Sequence, residues 1–297
     1  METSDDTRLH FRIHFGEAMV FARGTRVFAG AMTVAWLGLV GPSVPSGALS
    51  AGSVPVDAVR DVVPNRVLTW NICNPCETGN AGRAAEIARF APQVIGLQEA
   101  CVRDVERIRS YLKSRYGLDY HVEYGTVLRS WGRCGGVPWS PGAYGQAILS
   151  AAPMTDVVKV EYPDGGSEDR GYIAVTTTVS DRPVRVFNTH LAQRRQEAVR
   201  ADQIAVLAAD VARHERAIVL GDFNAVPDAS ELNGIWALAE DTDPECQPSA
   251  TATCEPTTDW QSKFDYVFLR GLVPLGRHVE PTPYSDHHIL HTDLEAS

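Results

Sequence analysis

The stretch Ala217–Asp228, "AIVLGDFNAVPD", decides how the chain is read. Four apolar residues, Ala217 to Leu220, run into Gly221-Asp222-Phe223-Asn224, and the loop-forming Ala225-Val226-Pro227-Asp228 follows at once. A short apolar run bounded by turn formers reads as a buried strand. A carboxylate and a carboxamide at its exit must find partners, because an unpaired buried polar group carries a large desolvation penalty. One such exit is ordinarily a cap or a turn former, so its meaning depends on whether other strands end the same way.

They do. "VLTWN" (67–71) exits at Asn71, "VIGLQE" (94–99) at Glu99, and "VRVFNTHL" (184–191) at Thr189-His190. "KFDYVF" carries Asp265 inside a strand, and "YSDHH" places Asp286 and His287 just before the last strand, "HILHTDL". Strands are also expected at "AILS" (147–150) and "YIAVTTTV" (172–179). Helices are expected over 81–91, over 102–116 with Val102, Val105, Ile108 and Leu112 on one face, and over roughly 195–214. The segments 125–143 and 240–259 lack periodicity and read as long loops of the kind that line a site. Strands alternating with helices, with no internal repeat, indicate one α/β domain over 66–297, preceded by a short linker at 52–65.

The first 51 residues read differently. Arg23 and Arg26 precede "VFAGAMTVAWLGLV" (27–40), fourteen residues without a charge, and Pro42, Pro45 and the small-residue string "SGALSAGS" follow. These are the parts of a secretory signal peptide and leader, with cleavage expected after Ala48, Ser50 or Ala51 and Met19 as an alternative start. The run is short for a membrane span, which needs about 20 residues. A secreted, extracellular protein is therefore expected. Six cysteines all lie beyond the leader, an even count that favours three disulfides in an exported chain. Cys73-Asn-Pro-Cys76 also has the spacing of half a zinc site, but no second pair or nearby histidine completes it. The formal net charge of −10 argues against a broad basic surface for nucleic acid, though not against phosphate met through a bound cation.

Strand ends that share a direction converge on one rim. Carboxylates gathered there repel one another unless a cation sits among them. Carboxylates and carboxamides are hard oxygen ligands suited to Mg²⁺, Ca²⁺ or Mn²⁺. His190 and His287 add acid–base and anion-holding capacity. Cation, base and anion holder together describe hydrolysis of a phosphoester by water.

"LTWN", "IGLQE", "NTHL", "GDFN", "KFDYVF" and "SDHH" stand in the order and approximate spacing of the endonuclease/exonuclease/phosphatase superfamily, which the chain resembles over about 66–294. The resemblance implies a four-layer αββα sandwich, deoxyribonuclease I-like, with two mixed β-sheets face to face and helices outside. It implies a metal-dependent phosphoric ester hydrolase. Asn71, Glu99 and Asp286 match the metal side, with Glu99 the main ligand. His190 matches the histidine that contacts the scissile phosphate and protonates the leaving oxygen. Asp222 and Asn224 match the pair that orients water and binds phosphate or a second metal. His287 matches the general base or phosphate-binding histidine, and Asp265 its orienting partner.

The chain also departs from the pattern. Gln146 stands for the usual Asn in "GQAILSAAPM", and no arginine follows Ser150. The carboxylate that supports the first histidine in the deoxyribonucleases is not identifiable, Glu123 being the one candidate. Cys73 and Cys101 each fall two residues after a site residue, which suggests a Cys73–Cys101 disulfide if their strands are neighbours. His288 reads as a strand-edge residue.

For substrate contacts the candidates are Arg133 and Tyr144, with Arg129 and Trp131 beside them, and Arg194 and Arg195 after His190. The expected partner is a phosphoester, most plausibly nucleic acid, met by a monomer. A sphingomyelinase-like enzyme, with Val137-Pro138-Trp139 toward a membrane, and a phosphomonoesterase are the alternatives on the same scaffold. A catalytically inactive secreted binding protein and a glycosidase are the readings from other classes. A glycosidase would need paired carboxylates but not the asparagine and histidine companions.

Overall fold

The computed structural model describes residues 60–296 apart from 75, 77, 78, 165 and 194. The expected leader over 1–51, the linker residues 52–59 and Arg194 lie outside the described residues. The chain runs β1 (Val63–Asn71), α1 (Asn80–Phe90), β2 (Pro92–Cys101), α2 (Val102–Tyr116) and β3 (His121–Arg129). A short helix α3 (Trp131–Cys134) and the two-residue strands β4 (Gly136–Val137) and β5 (Ser140–Pro141) follow. Next come β6 (Ala143–Ser150), β7 (Thr155–Glu161), β8 (Gly171–Val179), β9 (Arg182–His190) and α4 (Glu197–Val211). The last part holds β10 (Ala217–Asp222), α5 (Asn233–Trp236), β11 (Glu240–Asp241), β12 (Asp265–Arg270), β13 (Pro274–Glu280) and β14 (Ile289–Leu294).

Two six-stranded mixed sheets result, ordered β13-β14-β1-β2-β6-β3 and β11-β12-β10-β9-β8-β7. Successive side chains of a strand point to opposite faces, and here both faces are dry. Leu68 and Trp70 of β1 pack with Ala84, Ile87, Ile108 and Leu112 of α1 and α2. Val67 points the other way, into a layer with Val94, Ile148, Ile173, Val186, Ile218, Leu220, Val267 and Leu290 drawn from both sheets. Val219 and Phe187 face a third cluster with Ile204, Leu207 and Val211 of α4. Helix, sheet, sheet and helix are thus separated by three apolar layers, the four-layer αββα sandwich that the resemblance implied. The unbroken apolar run of "AIVL" follows from this, since Ile218 and Leu220 fill the layer between the sheets and Ala217 and Val219 the outer one.

Six strands escaped the sequence reading, of which β4, β5 and β11 are two residues long. β3, β7 and β13 are edge strands, and β7 exposes nearly every residue. With one side open to water they need no apolar alternation, so periodicity cannot reveal them. β3 also corrects the expectation of a loop over 125–143, because its pairing with β6 carries strand structure through Arg129.

The cysteines form three disulfides, as their even number suggested, but the Cys73–Cys101 pairing is not among them. Cys73 pairs with Cys76, Cys101 with Cys134, and Cys246 with Cys254. β1 and β2 are neighbours, as that pairing required. The chain nevertheless turns at Cys73, whose φ is +41°, back toward Cys76. β2 instead runs on to Cys101, the N-cap of α2, whose sulfur meets α3.

Candidate active site

One row of residues crosses the second sheet. Parallel pairing sets Asp222 of β10 beside His190 of β9. Antiparallel pairing sets Asp222 beside Asp265 of β12, and His190 beside Gly171 of β8. The exits of two strands and the entries of two others therefore lie at one rim. From the first sheet, Asn71 ends β1, and Glu99 sits at an irregularity in the pairing of β2 with β6, its φ at +50°. That left-handed residue interrupts the strand's alternation, as bulges beside active sites do. Gly221 sits where the approach is closest: its φ is +142°, and a β-carbon there would lie 2.0 Å from the Thr189 carbonyl oxygen of β9.

Asp222, buried to 1% exposure, is the hub. Its Oδ2 accepts from Asn71 Nδ2 at 2.9 Å and lies 3.3 Å from His190 Nε2 and 3.7 Å from His287 Nε2. Its Oδ1 accepts from the Asn224 backbone N–H at 2.8 Å. Burial pushes the Asp222 carboxyl above the ordinary range, with the charge of His287 opposing and that of Asp265 adding. Asn71 is engaged at both ends of its amide: besides the bond to Asp222, its Oδ1 accepts from the Cys73 N–H at 3.0 Å.

His287 Nδ1 meets Asp265 Oδ2 at 2.8 Å, as expected of an orienting partner. A carboxylate only accepts, so Nδ1 carries a proton and Nε2 is the end turned to Asp222. Thr257 Oγ1 donates to the same Asp265 oxygen at 2.7 Å and accepts from the Asp265 N–H, which locks the carboxylate. Ser285 Oγ donates to the Asn71 carbonyl at 2.7 Å and accepts from the His287 N–H, joining the two strands that carry the site.

His190 is held differently. Arg170 Nη1 donates to its Nδ1 at 2.8 Å, and Glu168 holds the same guanidinium nitrogen at 2.8 Å. A guanidinium cannot accept, so Nδ1 keeps its lone pair and Nε2 is the N–H, pointing to Asp222 Oδ2. Asn224 Nδ2, 3.0 Å from Nε2, has the Leu191 carbonyl as its acceptor at 3.1 Å. Burial, and then the positive Arg170, hold the His190 imidazole far below its usual range. The Nε2–H is placed to hold a phosphate oxygen.

Glu123 does not support this histidine either; it pairs with Lys159 at 3.1 Å. Gln146 donates to the Gly171 carbonyl and so packs the sheets rather than meeting phosphate.

The cavity at this rim, of about 450 Å³, is lined by Cys73, Glu99, Gln193, Asp222, Asn224, Trp260, Phe264, Asp286 and His287. All eight residues expected from the sequence as catalytic or metal-side line it or meet those that do: Glu99, Asp222, Asn224, Asp286 and His287 line it, Asn71 and His190 reach it through Asp222, and Asp265 through His287. Glu99, Asp222 and Asp286 bring three carboxylates, and no lysine or arginine lines the cavity among the described residues. Burial raises the Glu99 carboxyl, with the positive Arg170 opposing. Hard oxygen donors fit a divalent cation, and Glu99 and Asp286 are the residues that would hold it.

Arg133 and Tyr144, expected as substrate contacts, do not line this cavity. Arg133 pairs with Glu168 and lies over the Tyr144 ring at 4.8 Å, and Tyr144 is buried to 1% with Cys101 and Cys134. Arg133 is thus engaged with Glu168, which in turn holds Arg170. His288, read as a strand-edge residue, is buried and bonds Asp259 at 3.1 Å. Glu168, Arg170, Thr257 and Trp260 were missed. The strand exits had been searched for polar residues, whereas "EDR" (168–170) precedes β8, an antiparallel neighbour whose entry meets the exit of β9.

The family model described as "Endonuclease/Exonuclease/phosphatase family" matches residues 68–287. The chain belongs to this family, and its family and fold make it a phosphoric ester hydrolase. Among solved structures, an endonuclease/exonuclease/phosphatase protein from Beutenbergia cavernae DSM 12333 is similar at 22% identity and TM-score 0.64, over 77% of this chain and 71% of that one. The human Nocturnin catalytic domain with bound sulfate is similar at 21% identity and TM-score 0.61, over 78% and 93%. D. rerio TDP2 complexed with a single-strand DNA product is similar at 18% identity and TM-score 0.61, over 77% and 98%. No curated protein sequence matches the chain significantly.

Proposed function

We propose that the protein is a secreted, divalent-metal-dependent phosphodiesterase, a nuclease in the first instance, that hydrolyses its substrate by direct attack of water. The observation that carries this reading is the convergence of Asn71, His190, Asn224 and His287 on the single carboxylate Asp222, at a cavity shared with Glu99 and Asp286. His190 Nε2–H and the Asn224 amide are placed to hold non-bridging phosphate oxygens. Asp222 Oδ2 flanks the position of a water and accepts its proton. His287, which burial lowers but the Asp265 and Asp222 carboxylates raise to about 10, faces the same position with Nε2 3.7 Å from Asp222 Oδ2 and is placed to hold phosphate charge, and Asp265 orients it. A Mg²⁺, Ca²⁺ or Mn²⁺ ion held by Glu99 and Asp286 would neutralise charge on a phosphate oxygen as the displacement proceeds.

Export is supported by the signal-like leader and by the pairing of every cysteine in the folded domain. Nucleic acid as substrate is supported by the DNA product bound to the similar TDP2. The test is a substrate panel of plasmid DNA, single-stranded DNA, RNA, sphingomyelin and bis-p-nitrophenyl phosphate, each with the three metals and with EDTA. The reading expects hydrolysis of a nucleic acid and of the synthetic diester, abolished by EDTA. Turnover of sphingomyelin alone, or activity that survives EDTA, contradicts it.

A further inference from the structure

Trp260 stands at the mouth of the cavity in a manner that the hydrolytic machinery does not use. Its indole is 48% exposed, a large apolar area to leave in water beside a polar site. It meets His287 edge-on, with ring centroids 5.4 Å apart, and Phe264 at 6.0 Å. Trp131 and Trp139 are more exposed but do not line the cavity.

The residue is also held in place. Thr258 Oγ1 donates to the Ser262 carbonyl at 2.9 Å and accepts from the Ser262 N–H at 3.0 Å, closing a tight turn around Trp260. The Gln261 N–H bonds the Thr258 carbonyl at 3.0 Å, and Gln261 takes a φ of +61° to complete the turn. The turn is then stitched to the site: Thr258 bridges to His287, and the Asp259 N–H donates to the Asp286 carbonyl at 3.0 Å. The buried His288 fixes the Asp259 side chain from below. An indole on so fastened a turn loses little freedom on binding a planar ring, which is where stacking gains over a mobile side chain.

We propose that Trp260, with Phe264 beside it, is a stacking subsite for one nucleobase of a phosphodiester whose phosphate occupies the adjoining cavity. This rests on the phosphodiesterase reading and names the group that the enzyme recognises next to the scissile bond. Stacking is indifferent to base identity, because every base presents a π-face. The subsite therefore selects for a base without selecting among bases, and Asp259–His288 is the positioning pair that holds it.

The experiment compares three substrates on the full-length, oxidised protein with Mn²⁺: the dinucleotide TpT, and its two abasic forms lacking the 5′ or the 3′ base. The wild type is expected to hydrolyse TpT with a kcat/KM roughly 5- to 100-fold above one of the two abasic forms, the range that stacking of one base supports. In Trp260→Ala that ratio falls toward one, and Trp260→Phe retains most of it, which a role in folding alone would not produce. A wild type with no preference between intact and abasic substrates overturns the subsite, as does a preference that Trp260→Ala leaves intact. No turnover of any of the three overturns the phosphodiesterase reading, and the subsite with it.

Discussion

Asp265→Asn is the substitution that separates the chemistry of this site from its architecture. Asp265 is fully buried, and one of its oxygens accepts from both His287 Nδ1 and Thr257 Oγ1. Asparagine has nearly the same shape, and the backbone bond from Asp265 N–H to Thr257 Oγ1 is untouched by it. The fold should tolerate it.

The catalytic outcome should be opposite. The carboxylate is what compels His287 to carry a proton on Nδ1. An amide can present either its oxygen or its nitrogen; neither supplies the negative charge that raises His287, and in the second case Nδ1 must become the acceptor. Even in the first case a neutral acceptor makes a hydrogen bond roughly half as strong as a charged one. A histidine that has lost its charge or its orientation forfeits electrostatic stabilisation of the attacked phosphate, about 10²–10³ in rate, or about 3 to 4 kcal/mol in activation free energy. The assay is steady-state hydrolysis of bis-p-nitrophenyl phosphate with a saturating metal, alongside circular dichroism and a thermal melt. kcat should fall by that factor with KM within about threefold. Full kcat in a folded Asp265→Asn variant would refute the role given to His287. A loss of activity that tracks a loss of fold would refute the claim that Asp265 acts through the imidazole.

Other perturbations follow from particular contacts. Gly221→Ala places a methyl group 2.0 Å from the Thr189 carbonyl oxygen at a φ of +142°; the variant should lower Tm by several degrees or fail to fold, and a Tm equal to the wild type would contradict the close approach. Arg170→Gln frees His190 Nδ1 from an obligate donor, so the His190 tautomer, read by ¹⁵N NMR, should shift from one proton on Nε2 toward a mixture; an unchanged spectrum would contradict the assignment. His291, packed on Phe90 and His278 and near Arg66 and Asp293, is lowered by burial to about 4 from 6.5. The unfolded chain therefore binds a proton that the folded one refuses, so stability should decline as pH falls from about 6.5 to about 4 and be retained above that window; His291→Phe should flatten this part of the stability curve measured by urea denaturation. Reduction of the three disulfides should lower stability by about 2 kcal/mol or more for a single bridge, and a melt unaffected by dithiothreitol would contradict their presence.

Much of the site was legible because strand exits are. Asn71, Glu99, His190 and Asp222 each end an apolar run whose other residues are committed to core layers, so their polarity stands out. Asp265 was legible for the converse reason, a carboxylate inside an apolar strand that must have a buried partner. The residues that escaped are those whose place depends on which strand lies beside which. Arg170 enters β8 from a charged segment that looks like an ordinary turn, and only the antiparallel pairing of β8 with β9 sets it against His190. Thr257 belongs to a loop that reaches Asp265 through side-chain bonds with no periodicity to betray them. Disulfide pairing was illegible for a similar reason: neighbouring strands made Cys73–Cys101 feasible, and a local turn at Cys73 decided against it. Arg133 and Tyr144 had the right chemistry for a substrate contact, but Tyr144 is buried and Arg133 is paired with Glu168 away from the cavity lining.

The most direct test of the central claim is an anomalous difference map from crystals of the protein soaked in Mn²⁺. Peak density within coordination distance of the Glu99 and Asp286 carboxylates, on the cavity side facing Asp222 and His287, is the predicted result. A well-diffracting crystal with manganese bound elsewhere, or with that cavity empty at saturating metal, would contradict the account.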